Sequence, residues 1–178
     1  MRKTRFLGAA AALTLLGAIG VSQIKSMTLA EMVTEADNAV YGEITSQHVF
    51  VVDHPVDGPE LYFTTLSIDG RLVGAGTPVS VEVTFRGGFL DDEHGVFNSE
   101  APAADDVKVG NRVVVFYKWL DDMGGGVAAN ALMCAHGGLY RTMDGPKGTV
   151  VLGRGKGYAI SSNTKVEKLD EQVRSIKR

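Results

Sequence analysis

The chain has 178 residues, with 18 Lys and Arg, 21 Asp and Glu, and a formal net charge of −3 at pH 7. This mildly acidic balance excludes the clustered basic footprint of a nucleic-acid-binding protein, so no nucleic-acid partner is expected. The length suits one domain with a sizeable core. The single cysteine, Cys134, allows no intramolecular disulfide, so the core alone must hold the fold.

The first 22 residues have the layout of a secretory signal peptide. Three basic residues, Arg2, Lys3 and Arg5, precede the apolar run FLGAAAALTLLGAIGV, and small residues follow it. The run has about 16 residues, fewer than the roughly 20 that span a bilayer. We therefore expect a signal peptide over 1–22 and a periplasmic or secreted protein with no membrane segment after its removal. An uncleaved N-terminal membrane anchor is the alternative.

A short helix is predicted directly after the signal peptide. Apolar residues from Leu29 to Ala36 recur at helical spacing and form one stripe. Thr28 and Glu31 have the spacing of a capping box, in which a hydroxyl and a carboxylate satisfy the free amides of the first turn. The pattern predicts a helix that begins near Thr28.

A second amphipathic helix is predicted over the C-terminal segment 161–178. Its apolar residues share one helical face: Val166, Leu169, Val173 and Ile176. Asp170 and Arg174 stand four residues apart on the opposite, wet side. Their spacing predicts an ion pair along the helix surface.

Between the helices the pattern changes to strands separated by Gly-rich and Pro-rich turns. VSVEVTF at 79–85 alternates strictly, which predicts one buried and one wet face. RVVVFYKWL at 112–120 is almost continuously apolar, which predicts a central strand covered on both faces. Further strands are expected at AVYGEITSQHVFVVD, LYFTTLSI, VAANALMCA, GLYRTM, TVVLG and GYAIS. We predict a mainly β protein, in which a small Greek-key, OB-like barrel with a short N-terminal helix spans 27–160 and the C-terminal helix follows.

The order of these features resembles the order found in a family of uncharacterised secreted bacterial proteins. The features are the helix TLAEMVTEADNAVYGEI, the strand SVEVTFRGG, the segment VKVGNRVVVFYKWL and then HGGLYRT, over roughly residues 27–145. The resemblance implies a barrel similar to the OB-fold, of the kind also seen in netrin-like and metalloproteinase-inhibitor domains. Those inhibitors present an N-terminal cysteine to the protease metal, and no cysteine stands near the start of this domain. The resemblance therefore implies an architecture and carries over no residue role.

The segment between the two clearest strands, RGGFLDDEHGVFNSEAPAADDVKVG, has no periodicity. A connection this long is usually functional or disordered. It contains the acidic residues Asp91, Asp92 and Glu93, followed by His94. Oxygen ligands of this kind bind calcium, although the spacing does not match a calcium loop. Asp91, Asp92, Glu93 and His94 are therefore candidate ligand-binding or partner-binding residues, with a solvated loop as the alternative.

Cys134 and His136 stand two residues apart in LMCAHGGLYRT. On a strand both would point to the same face, about 6.7 Å apart, and would converge on a metal ion or a shared proton. A zinc site needs at least one more protein ligand, which His94 supplies only if its loop folds back over this strand. A cysteine nucleophile would need the histidine as its base, and oxyanion donors as well. The alternative is a packed thiol beside a histidine at a strand end, the usual behaviour of a lone cysteine.

No stretch of the sequence is a specific catalytic or cofactor motif, so the sequence favours an exported β-barrel that acts as a binding or interaction module. No cofactor is predicted, apart from a divalent metal that Cys134, His136 and His94 would hold. The expected partner is an envelope or extracellular protein bound through the long acidic loop, since long connections on barrels carry function. Two alternatives stay open. One is a metal-dependent or thiol enzyme that uses Cys134, His136, His94 and Asp91 or Asp92, and the other is an envelope structural component without a small ligand.

Overall fold

A computed structural model describes residues 26–177 and shows a mainly β protein. The predicted signal peptide over 1–22 lies outside the described residues. In chain order the elements are α1 (Leu29–Glu35), β1 (Asn38–His54), β2 (Gly58–Leu72), β3 (Pro78–Arg86), β4 (Gly88–Phe89), β5 (Gly95–Val96), β6 (Arg112–Leu120), β7 (Ala129–Leu132), a 3₁₀ helix (Ala135–Gly138), β8 (Leu139–Gly145), β9 (Gly148–Val151), β10 (Thr164–Lys165) and α2 (Val166–Ile176).

Five strands close into a barrel. β1 pairs with β2 and β2 with β3, both antiparallel, and β6 pairs antiparallel with β1 and with β7. One parallel pairing completes the ring, in which Thr84 of β3 lies opposite Ala131 of β7. The closed ring of five strands is an OB-like Greek-key barrel, so the predicted fold class is confirmed.

The two hydrophobic cores share strand β6. Val113, Val115 and Tyr117 belong to the core inside the barrel. Val114 and Phe116 point the other way, into a second core beneath the helices. The three valines and Phe116 are fully buried, which confirms the predicted cover on both faces for residues 113–117. The prediction is wrong for the end of the run, where Trp119 is 51% exposed and Leu120 is 39% exposed.

Both predicted helices are present, and both contribute to the second core. Thr28 caps α1 as its spacing predicts: its hydroxyl accepts the Glu31 N–H at 3.2 Å, and the Glu31 carboxylate accepts the Thr28 N–H at 2.8 Å. α2 buries Val166, Leu169 and Val173 in the same core. The helices therefore cover the outer face of the barrel at β6.

A bidentate ion pair attaches α2 to the end of β2. The Arg71 guanidinium donates to both carboxylate oxygens of Asp170, at 2.9 and 2.7 Å. Asp170 also accepts the Gly74 N–H at 2.8 Å, whereas Arg174 donates to the Gly74 carbonyl. The predicted ion pair of Asp170 with Arg174 is therefore wrong, because the Asp170 carboxylate is bound by Arg71, which is distant in the sequence. Burial raises the pKa of Asp170, but the hydrogen bonds from Arg71 and Gly74 outweigh it, and the pKa lies below its ordinary value.

The segment GYAIS at 157–161 is not a strand, contrary to the prediction. The chain reverses there, and the Arg154 N–H donates to the Ile160 carbonyl at 3.0 Å. Positive φ values of 94° at Gly155 and 98° at Gly157 permit the reversal. Ile160 still fills the second core, so this apolar residue is buried without strand pairing.

The hairpin of β1 and β2 is longer than the barrel that it helps to build. β6 pairs with β1 only over Asn38–Glu43, and β3 pairs along β2 only as far as Phe63. The two long strands continue together up to His54 and Gly58. This far end of the hairpin extends past the barrel and lies beside the long connection between β3 and β6.

Candidate functional site

The long connection between β3 and β6 is structured, and it begins with a sharp turn. Gly87 and Gly88 have φ values of 94° and 134°, which glycine adopts readily. The Gly87 N–H donates to the Tyr62 carbonyl at 2.8 Å, and the Thr64 hydroxyl donates to the Gly87 carbonyl at 2.6 Å. A Cβ atom at Gly88 would collide with the Thr64 hydroxyl. The close approach of this connection to β2 therefore requires glycine.

Beyond this turn, β4 and β5 form a small hairpin whose apolar side chains face solvent. Phe89 is 54% exposed, Val96 is 45% exposed and Phe97, just after the hairpin, is 80% exposed. All three line the same groove, so they form one patch rather than scattered surface residues. A grouped apolar surface of this kind marks a contact site in many proteins.

A groove of about 540 Å³, which we call the loop groove, lies between this connection and the barrel strands. The strands contribute three residues to its lining, Gln47, Thr64 and Phe85. The connection contributes mostly apolar residues: Phe89, Val96, Phe97, Ala101, Pro102, Ala103, Ala104 and Val107. Small-molecule sites have volumes in this range and are mostly apolar with a few polar groups.

Among residues 26–177, Arg154 is the only Lys, Arg, Asp or Glu that lines the loop groove. Its Nε donates to the Leu139 carbonyl at 3.0 Å, and its Nη2 donates to Asp106 Oδ2 at 2.7 Å. The guanidinium also lies 6.0 Å from the centroid of the Tyr140 ring. These contacts fix the side chain and leave its Nη1 without a hydrogen-bond acceptor among residues 26–177. The groove therefore has one fixed guanidinium group, whose charge is paired with the Asp106 carboxylate, in a mostly apolar surround.

The acidic residues predicted as a binding site form the exposed turn between β4 and β5. The Asp91 carboxylate accepts the N–H groups of Glu93 and His94, at 2.9 and 2.8 Å, and lies 2.8 Å from Nδ1 of the His94 ring. The N–H of Glu93 and the ring and N–H of His94 hold the pKa of Asp91 below its ordinary value. Asp91 thus closes the turn, while Asp92 and Glu93 are exposed at its surface.

Cys134 and His136 do not lie on a strand, contrary to the prediction. β7 has already ended, and Cys134 and Ala135 have φ values of 50° and 54°, in the left-handed region, at the start of the 3₁₀ helix. The two side chains meet different neighbours. Cys134 Sγ contacts Met27 Sδ at 2.8 Å, whereas His136 Nε2 lies 3.1 Å from the Tyr158 hydroxyl. The shared face expected for Cys134 and His136 therefore does not form.

The third residue of the metal or thiol hypothesis, His94, lies in the exposed hairpin turn with Asp91. Within the part of the chain that the structure describes, no three His, Cys, Asp or Glu side chains are grouped so that they could hold one metal ion. The structure thus does not assemble Cys134, His136 and His94 as a ligand set. His136 instead lines the loop groove, as Arg154 does.

The sequence prediction named the connection that borders the loop groove, but of the side chains that line the groove it named only His136, as a metal ligand or a catalytic base. Phe89 and Phe97 are visible in the sequence as aromatic residues in a largely polar segment, and that contrast was the available signal. Arg154 gives no such signal, because its partner Asp106 is 48 residues away and only the fold brings the two together.

No protein-family model matches this chain, and no curated protein or solved structure matches it. None of the helices in residues 26–177 has the length and apolar character needed to cross a membrane. Function is therefore inferred from the geometry of the loop groove.

Proposed function

We propose that this protein is an exported binding module and that the loop groove is its ligand site. The observation that carries this proposal is the exposed patch of Phe89, Val96 and Phe97 beside a groove of about 540 Å³. Burying apolar surface away from water contributes a favourable free energy of roughly 25 cal/mol per Å². Binding of an apolar ligand in the groove would therefore be stabilised by covering this patch. Export is supported by the basic start and apolar run within residues 1–22.

The chemistry of the groove favours an apolar molecule that carries one anionic group. The Arg154 guanidinium is paired with Asp106, but its Nη1 donors are left for a ligand, and guanidinium groups bind anionic oxygens through charge-assisted hydrogen bonds. The carboxylates of Asp91, Asp92 and Glu93 lie in the hairpin turn and do not line the groove. The envelope or extracellular protein partner expected from the sequence remains a prediction, separate from this small ligand.

The groove is held open by hydrogen bonds that anchor the connection at several points. Asn98 Nδ2 donates to the Arg86 carbonyl at 3.0 Å, near the start of the connection. The His136 N–H donates to the Glu100 carbonyl at 2.8 Å, and the ion pair of Arg154 with Asp106 holds a later segment. A preformed site loses less conformational entropy when a ligand binds. The anchoring therefore favours binding over a purely structural role for this connection.

Titration with 1-anilinonaphthalene-8-sulfonate, an aromatic sulfonate that fluoresces in apolar surroundings, tests the site. Ala104 lines the groove, so Ala104→Trp would fill it without removing a side chain. Ala128→Trp adds the same side chain at another exposed alanine, outside the groove lining, and is the matched control. We expect Ala104→Trp to weaken binding about tenfold or more and Ala128→Trp to leave the dissociation constant unchanged.

Equal affinity of the native protein and the Ala104→Trp variant would contradict the proposed site. The anionic preference is tested separately with Arg154→Gln and the uncharged probe N-phenyl-1-naphthylamine. Loss of the guanidinium should weaken binding of the sulfonate more than binding of the uncharged probe. Equal weakening of both probes would mean that Arg154 only supports the fold of the groove.

A further inference from the structure

The far end of β1 has an edge that no other strand covers. β1 pairs with β6 only as far as Glu43, and the turn at 110–111 bonds to Ile44, accepting its N–H at 2.9 Å and donating to its carbonyl at 2.8 Å. From Thr45 to Asp53, β2 is the only strand that pairs with β1 among the described residues. The opposite edge of this stretch is therefore open.

Three residues direct their backbone N–H and C=O groups to this open edge. The Tyr62 carbonyl accepts the Gly87 N–H at 2.8 Å on the β3 side, so the backbone of Tyr62 faces β3. Val51 lies opposite Tyr62, and opposite residues of an antiparallel pair face either towards each other or both away. The backbone of Val51 thus faces away from β2, and alternation along the strand gives Val49 and Gln47 the same direction.

The open edge lacks the usual protection against strand pairing. Proteins commonly place Lys, Pro or a bulge along an exposed edge, because an open edge pairs with other strands. Residues 45–52, TSQHVFVV, contain no Lys, Arg, Asp, Glu, Pro or Gly. The two bulges of β1, between Ile44 and Ser46 and between Val52 and His54, lie at the two ends of the open edge and leave residues 46–52 in regular pairing with β2. Gly88 of the β4 hairpin approaches the side chain of Val49, and within residues 26–177 no backbone hydrogen bond joins this hairpin to residues 45–53.

We infer that this edge pairs with the same edge of a second copy of the chain, antiparallel about a two-fold axis at Val49. Val49 then lies opposite Val49 of the second copy, and Gln47 lies opposite its Val51. Each of these residue pairs exchanges two backbone hydrogen bonds, which satisfies the donors and acceptors of the open edge. The result is a continuous sheet that runs from one barrel to the other.

The sequence around Val49 is complementary to itself in this arrangement. His48 lies opposite Phe50 of the second copy, and Phe50 lies opposite its His48. These two rings already stack within one chain, with centroids 6.1 Å apart, so the pairing places four rings together on one face. Aromatic cross-strand pairs stabilise sheets, and the uncharged segment 46–52 brings no like charges together. A second copy carries this matching pattern by necessity, and closed two-fold dimers are the commonest oligomers.

The concentration dependence of the molar mass tests this inference. The contact is small, so we expect the weight-average mass in sedimentation equilibrium to rise from monomer towards dimer between about 10 and 500 µM. Val51→Lys places a charge at the edge and should weaken the dimer at least tenfold. Val56→Lys makes the same change at a residue 85% exposed in the turn between β1 and β2, and it should dimerise like the native protein. A native protein that stays monomeric up to about 500 µM, or a Val51→Lys variant that dimerises normally, overturns the inference.

Disulfide trapping tests the position of the axis. In a hydrogen-bonded antiparallel pair the Cα atoms lie about 5.5 Å apart, within the range of a disulfide, so Val49→Cys should give a covalent dimer under mild oxidation. In the same dimer the two residues at position 51 lie about 14 Å apart, so Val51→Cys should not cross-link. The native protein, with Cys134 alone, measures the background. Cross-linking of Val51→Cys but not of Val49→Cys, or of neither above background, contradicts an axis at Val49.

Discussion

Two strands of similar apolar character have opposite surroundings in this molecule. RVVVFYKWL, residues 112–120, has strands on both edges, and its residues 113–117 have the barrel core on one face and the second core on the other. HVFVV, residues 48–52, has β2 on one edge, no strand from the described part of the chain on the other, and side chains that are exposed or half-buried. The comparison teaches that an apolar run predicts a strand, whereas its burial depends on elements that arrive from distant parts of the chain.

The same contrast separates the two sides of the barrel. On the side of the helices, most apolar side chains belong to the buried second core and contribute mainly to stability. On the side of the loop groove, apolar side chains such as Phe97 face solvent and are available to a ligand. A substitution should therefore lower stability on the first side and change binding on the second.

The largest expected effect comes from a phenylalanine of the second core. Phe116 is fully buried and packs edge-on against Tyr140, with ring centroids 6.3 Å apart. We expect Phe116→Ala to lower the free energy of unfolding by about 3–5 kcal/mol, measured by urea denaturation. Phe97→Ala removes the same side chain from a site that is 80% exposed, and it should change that free energy by less than about 0.5 kcal/mol. Similar losses from both variants would break the distinction between the two sides.

A smaller effect is expected at the ion pair that attaches α2. The folded-state pKa of Asp170 lies below the ordinary value of about 3.9, so its ionised form stabilises the fold above that pH. This contribution is lost as the pH falls through the folded-state pKa. We expect Asp170→Asn to lower the free energy of unfolding by about 1–3 kcal/mol at pH 7, and the difference from the native protein to shrink below about pH 4.

Glu171→Gln is the control for this prediction, because it removes a carboxylate from an exposed position of the same helix. Its unfolding free energy should follow that of the native protein across the same pH range. If Asp170→Asn behaved like Glu171→Gln at every pH, the pair of Arg71 with Asp170 would contribute nothing to the attachment of α2.

The fold could be predicted where local pattern and final environment agree. The alternation of VSVEVTF over 79–83, the apolar residues 113–117 of β6 and the capping box at Thr28 each predict a local geometry that the structure has. Thr84 departs from the alternation, because it is buried and its hydroxyl pairs with that of Thr65. GYAIS at 157–161 fails because Ile160 is buried by a chain reversal, and burial by a loop leaves the same apolar signal as burial by a strand.

The candidate site was less predictable, for a physical reason that Cys134 illustrates. Cys134 and Ala135 both have positive φ, a conformation that residues other than glycine rarely adopt and that no local pattern announces. The expected shared face of Cys134 and His136 depended on extended backbone at these two positions. His136 and Arg154 reach the loop groove only because β7, the 3₁₀ helix and the segment after β9 come together there, which is a property of the whole barrel.

The smallest expected effect on stability lies at the hairpin turn, where the Asp91 carboxylate holds only the turn itself. Asp91 accepts hydrogen bonds from the N–H groups of Glu93 and His94 and from the His94 ring. An NMR titration of the carboxyl carbon should therefore give Asp91 a pKa below the ordinary value of about 3.9. His94→Ala removes only the ring, so the pKa of Asp91 should rise but stay below that value while the backbone donors remain. The unfolding temperature should change by less than about 1 °C, because the pair is exposed. A fall of several degrees in the unfolding temperature would show that the turn unfolds together with the barrel. The loop groove would then be part of the cooperatively folded core and not a separate surface site.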